Sequence, residues 1–192
     1  MNDEKPTILL WIDTETTALD PADGDLLEIG MLATDLTADN ELAGFFQVIG
    51  HDLTTMPIGT TTATRMHLDN GLLDEVSDPT LPDPDTVAKN LREFLWNLTS
   101  RNHVIPSGTN LQFDYEWINA KLPDSGLTLL SHRRNDLTTN RIQLKALGQD
   151  PYNPDRHATT HRVRSCIARD INEYKTTLTL LTHALETKET RQ

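Results

Sequence analysis

Ile8-Leu9-Leu10-Trp11-Ile12-Asp13-Thr14-Glu15 is the stretch that decides the fold. Five apolar residues in succession, so early in the chain, predict a strand buried on both faces. Side chains two positions apart on a strand share a face. Asp13 and Glu15 are therefore expected side by side at the end of an apolar strand. Two carboxylates crowded there repel and shift each other's pKa. A divalent cation removes the conflict, so the pair predicts a Mg²⁺ or Mn²⁺ site.

Outward from this strand, Thr16 to Asp25 is a turn-rich connection with Pro21 and Gly24. Leu26 to Asp35 and Glu41 to Ile49 read as second and third strands, with Asn40 in the turn between them. Short connections predict an antiparallel meander. Residues 51–85 are loop-rich, with a short helix near Leu68 to Val76. Val87, Leu91, Leu95 and Leu98 recur at helical spacing and predict a helix over Val87 to Thr99, capped by Asp85 or Thr86. His103 to Pro106 reads as a short buried strand, and Phe113 to Leu122 as a helix starting near Asp114. Leu127 to Leu130 suits strand or helix, and Thr138 to Leu147 has a weak helical period. A long helix is expected from about His161 to Leu185, with Ile167, Ile171, Tyr174, Leu178 and Leu181 on one face and frayed residues from Lys188 to Gln192. Strands followed by interleaved helices and short strands give an α/β domain with a mixed β-sheet flanked by α-helices.

With 192 residues, the chain is expected to form a single domain with a full core. No apolar run approaches the ~20 residues of a membrane span, so no membrane partner is expected. Met1 to Pro6 lacks a signal-peptide pattern. Cys166 is the only cysteine, which excludes an internal disulfide and fits a cytoplasmic setting. The net charge of −12 argues against gripping long duplexes through charge. It does not exclude a nuclease, because metal ions can neutralise phosphate locally.

Three later features join the first pair: Gly108 to Asp114 (GTNLQFD), Met66 to Leu72 (MHLDNGL), and His161-Arg162 where the last helix begins. In this order they resemble the DEDD superfamily of 3′→5′ exonucleases, in the branch with a catalytic histidine, and most of all its oligoribonuclease family. The opening Trp-Ile-Asp-x-Glu-x-Thr-x-Leu matches Trp11 to Leu19. Asp20-Pro21, the Leu27-Glu28-Ile29 strand, His67 to Leu72, Asp114, Arg133 to Thr138 and His161-Arg162 follow the family's later segments. The resemblance covers roughly residues 7–185. It implies a ribonuclease-H-like fold and hydrolysis of short single-stranded RNA or dinucleotides to nucleoside 5′-monophosphates, with two divalent ions. It implies Asp13, Glu15 and Asp114 as metal ligands and His161 as general base, a task suited to a group that titrates near neutrality. It further implies that Leu19, Met66 and His67 contact the substrate. Arg133 and Thr138 fall where the family holds the substrate's 5′ phosphate, often across a homodimer interface; arginine's fork suits phosphate oxygens.

The pattern departs at one place. The family's fourth acid lies five residues after the histidine, and here that position is Cys166. The next acid, Asp170, lies one helical turn further on the same face. Either Asp170 is the fourth ligand through a shift of the helix, or the fourth acid is gone and a single ion remains. His157 offers no better register, since Arg162 stands five residues after it. Two rival readings follow. The chain is a degenerate exonuclease that binds short nucleotides or a partner without turnover, or it is a DNA-proofreading enzyme, since sister families use the same acids.

Overall fold

The computed structural model describes residues 5–57, 59–150 and 158–189; His157 lies outside them. Three strands open the chain: β1 (Thr7–Thr16), β2 (Leu26–Thr34) and β3 (Glu41–Val48). They form the expected meander, β1 with β2 and β2 with β3, both antiparallel. Asp35 ties the β2–β3 turn, accepting from the Asn40 side chain at 2.6 Å and from the Asp39 amide at 3.0 Å. Two short helices follow, α1 (Thr61–Asp69) and α2 (Leu72–Glu75), then α3 (Pro84–Arg101). Next come β4 (His103–Gly108), α4 (Leu111–Lys121), a 3₁₀ turn at Leu127–Leu129, the two-residue β5 (Asn135–Asp136), α5 (Leu137–Ala146) and α6 (Val163–Glu189). Strands β4 and β5 run parallel to β1, giving the sheet order β3-β2-β1-β4-β5.

Alternation along β1 divides its side chains between two layers. Ile8, Leu10 and Ile12 enter a cluster with Val87, Leu91 and Leu95 of α3 and Trp117 and Ile118 of α4. Leu9 and Trp11 turn to the other face, against Leu137 of α5 and Ile167, Ile171 and Tyr174 of α6. Each fully buried leucine contributes about 1.5–3 kcal/mol, which is why a chain poor in aromatics still holds two layers of helix on one sheet. The mixed α/β architecture read from the sequence is the one observed.

Several boundaries differ from the sequence expectation, each for a local reason. The helix expected near Leu68 to Val76 is two helices, because Gly71 takes a left-handed φ of +78° between them. Thr60 starts α1 by accepting from the Ala63 amide. The cap of α3 is Asp83, not Asp85 or Thr86; its carboxylate accepts from the Thr86 amide at 2.8 Å, and Pro84 occupies the first turn. Helix α4 begins at Leu111, so Asp114 lies in its first turn and does not cap it. The amides of Asn110 and Leu111 donate to Asp136 instead, at 3.2 and 3.1 Å. Asp136 also accepts from the Thr138 amide at 2.9 Å, so one carboxylate anchors the starts of both α4 and α5. His161 sits just outside α6 in a left-handed conformation, φ +50°. At its far end α6 reaches Glu189, and residues 190–192 lie outside the described part. Among the described residues, no helix is long and apolar enough to cross a membrane.

Candidate metal centre and cleft

Asp13 and Glu15 occupy the C-terminal end of β1, on the face turned to α6. Opposite them in the antiparallel ladder stand Gly30 and Glu28. Gly30 has no room for a side chain: a Cβ there would lie 2.8 Å from Val163 Cβ and 3.1 Å from Ile167 Cδ1. The missing side chain lets the first turns of α6 press onto the sheet directly beside Asp13. Glu28 is held by Arg162, whose Nε and Nη2 donate to it at 2.9 and 3.0 Å; Nη2 also reaches Glu75 of α2 at 2.8 Å. Arg162 thus fastens the start of α6 to β2 and α2 together.

Asp114 approaches from α4 on the other side. Thr14, the residue between the two β1 acids, donates its hydroxyl to Asp114 Oδ1 at 2.7 Å. Asp114 and Asp170 are almost fully buried, and the Asp13 oxygen Oδ2 is buried with no hydrogen-bond partner. Burial pushes the Asp13 carboxyl well above its ordinary value, and the charges of Asp114, Glu15 and Asp170 push it further. Burial, with Glu28 adding to it, raises Glu15 to about 7. Burial, against the Thr14 hydrogen bond and with the Asp170 charge, raises Asp114 to about 8. A cluster of acids that disfavours its own ionisation, around an acceptor without a donor, suits a divalent cation.

The Cys166 thiol faces the same cluster, donating to Glu15 Oε1 at 3.7 Å, with the Thr159 hydroxyl 3.5 Å from the sulfur. Asp13, Glu15 and Cys166 each offer one ligand atom, and these atoms all lie within 4.8 Å of one another. Asp170 is engaged otherwise. Its Oδ1 accepts from Arg169 Nε at 2.8 Å and lies 3.6 Å from Arg141 Nη2. Arg141, itself buried, grips Glu173 with Nε and Nη2 and donates to Thr109 at 2.8 Å.

A cleft of about 810 Å³ opens between α1 and the start of α6, lined among others by Arg65, Met66, Asn70, His161 and Arg162. His161 is exposed there. Asn70 holds the segment in place, donating its side-chain amide to the carbonyls of Thr160 and His161 at 3.0 and 2.7 Å. Met66 is half-buried in the cleft wall. His67 is not part of that wall. It is fully buried, with Nε2 3.1 Å from the Thr16 carbonyl and 3.8 Å from Glu15 Oε2. Burial lowers its pKa, and the nearby charge of His161 adds to the effect. Leu19 follows β1 and is 81% exposed, which is unusual for a leucine so close to a core strand. Arg133 is exposed just ahead of β5, and Thr138 is half-buried in the first turn of α5.

Sequence reasoning missed Thr14, Asn70 and the Arg141/Arg169 pair. Thr14 was legible in principle: a hydroxyl between two acids on a strand points to the opposite layer. The arginines carried no comparable signal, since their partners lie on another helix or on the neighbouring residue.

No family model matches the chain. Curated relatives do. An oligoribonuclease of Tropheryma whipplei (strain Twist) is 27% identical over 134 residues, 70% of this chain and 71% of that protein. One of Rhodococcus jostii (strain RHA1) is 29% identical over 174 residues, covering 87% and 84%. Among solved structures, Escherichia coli exonuclease I in complex with a dT13 oligonucleotide superposes on 94% of this chain with a TM-score of 0.65 at 16% identity. The chain spans only 43% of that exonuclease, and the likeness concerns the ribonuclease-H-like fold. The chain is thus similar to oligoribonucleases over most of its length and shares the ribonuclease-H-like fold of exonuclease I.

Proposed function

We propose that this chain hydrolyses short single-stranded oligoribonucleotides from the 3′ end, releasing nucleoside 5′-monophosphates with the help of divalent ions. The observation that carries the reading is the acid cluster of Asp13, Glu15 and Asp114, with Glu15 and Asp114 buried and the buried Asp13 Oδ2 lacking any donor. Asp13, Glu15 and Asp114 would hold the ions. When bound, Mg²⁺ or Mn²⁺ would polarise the scissile phosphate and offset charge on the departing 3′ oxygen. His161, at the cleft rim, would take the proton from the attacking water. Leu19 and Met66 would pack against the terminal bases, which suits an exposed leucine and a methionine in the cleft wall. His67 would act from beneath, bracing the Thr16 carbonyl and Glu15. Arg133 and Thr138 would receive the 5′ phosphate, and a second copy of the chain would complete that end; sedimentation of the purified protein tests the dimer.

The relatives' names support RNA over DNA and turnover over mere binding. The deciding experiment is incubation with a labelled RNA dinucleotide and Mn²⁺, run beside single-stranded DNA of ten or more bases. Rapid release of mononucleotide from the RNA supports the reading. Binding without product, or a preference for the longer DNA, overturns it.

A further inference from the structure

We infer that Cys166 is itself a metal ligand, and that its sulfur makes the centre select transition-metal ions over Mg²⁺. The inference rests on the nuclease reading above and concerns which ion that site accepts. Three observations carry it. The thiol sits between the acids: Asp13, Glu15 and Cys166 present donor atoms within 4.8 Å of one another, the spacing a single ion can bridge. Asp13 Oδ2 is buried and accepts no hydrogen bond, an arrangement that costs free energy until a cation arrives.

The third observation is that α6 presents the thiol, and no carboxylate, to this group of donor atoms. Asp170 follows one turn later and stands outside the group, though its charge reaches Asp13 and Asp114. Val163 already abuts Gly30, where even a Cβ would come within 2.8 Å, so the helix has no slack against the sheet. Arg162 pins the same turn to Glu28 and Glu75. Asp170 is also committed to Arg169 at 2.8 Å, with Arg141 at 3.6 Å.

Sulfur changes the ion that fits. Mg²⁺ prefers oxygen ligands in near-ideal octahedral geometry. Thiolate is soft and favours later ions, with affinity rising from Mn²⁺ through Co²⁺. On binding, the S–H bond breaks, the proton leaves to solvent, and the sulfur lone pair forms the metal bond. No electron transfer is involved.

The test uses the full chain and needs no substrate. Titration with Co²⁺ should produce a near-ultraviolet sulfur-to-cobalt charge-transfer band, absent in Cys166→Ser. Calorimetry should show that Cys166→Asp moves the Mn²⁺/Mg²⁺ affinity ratio toward Mg²⁺ by at least about ten-fold, the scale on which even the outer partners of metal ligands act. The wild-type spectrum stands alone if a variant does not fold. Co²⁺ binding without the band, or an unchanged ratio in Cys166→Asp, overturns the inference and leaves the nuclease reading intact. If neither wild type nor variants bind Mn²⁺, Mg²⁺ or Co²⁺, the inference falls. Dinucleotide cleavage measured in parallel then decides whether the nuclease reading falls with it.

Discussion

The two halves of α6 share one helix and do different work. From Val163 to Tyr174 the inward positions are occupied in turn by Val163, Cys166, Ile167, Asp170, Ile171 and Tyr174, packed on the sheet or facing the acids. Beyond Tyr174 the same apolar period continues, yet Leu180, Leu181 and Leu185 are 51%, 56% and 66% exposed. The first half is fixed by contact on every inward side, at Gly30, Glu28, Glu15 and Arg141. The second half lines an open groove against α5, with Leu180 and Leu181 on its wall. Periodicity therefore reports that a helix exists and which face is apolar. Which stretch of that face meets the sheet is a tertiary matter.

The contrast can be broken most forcefully at the acids that the first half faces. Asp13→Ala is expected to lower dinucleotide cleavage at least roughly a thousand-fold, about 4 kcal/mol of transition-state stabilisation, with the circular dichroism unchanged. A variant cleaving at the parental rate would remove Asp13 from the chemistry. Arg162→Ala should cost about 1–3 kcal/mol of stability by leaving Glu28 without its guanidinium beside Glu15, read as a lower Tm in thermal denaturation.

The next effect is pH dependence. Glu15 and Asp114 have carboxyls raised to about 7 and about 8. Raised carboxyls bind protons more tightly in the folded state. Their contribution is complete below the unfolded values of about 4 and is lost as pH rises through the folded ones. In chelator, Tm should decline by several degrees between about pH 5 and pH 9. Saturating Mn²⁺ should flatten or reverse that slope, because the ion binds the ionised cluster. A slope identical with and without Mn²⁺ would mean that no ion meets these acids.

Smaller effects sharpen the comparison. Leu19→Ala should raise KM for a dinucleotide by about ten-fold, on the scale of a few methylene groups in a pocket, with kcat little changed. Leu181→Gln, in the exposed half of α6, should leave stability within about 0.5 kcal/mol and cleavage as in the parent. A large loss of activity there would show that the far half of the helix serves the site after all.

Much of this molecule is readable in the chain itself, and the reason differs by element. The opening strand is legible because its apolar run and its acids sit on consecutive residues. The meander follows from short connections. Helix starts are less legible, since capping depends on which of several polar residues finds a free amide. Asp83 wins at α3, and Asp136 reaches across from a neighbouring strand to serve α4. The departure at Cys166 is visible by counting from His161. Its consequence is not, because whether Asp170 is available depends on Arg169 beside it and Arg141 from α5. His67 teaches the same lesson: a position inside a motif does not say whether the ring lines the cleft or lies beneath it.

Trp11 offers a last consequence. It is fully buried two residues before Asp13, its indole N–H is tied to Thr34 at 2.9 Å, and its ring meets Tyr174 edge-on with centroids 5.3 Å apart. The chain therefore carries a native optical gauge between the acid cluster and the inner half of α6. Cation occupancy that tightens this helix against the sheet would register in the indole emission, giving a label-free readout of loading in the unmodified protein.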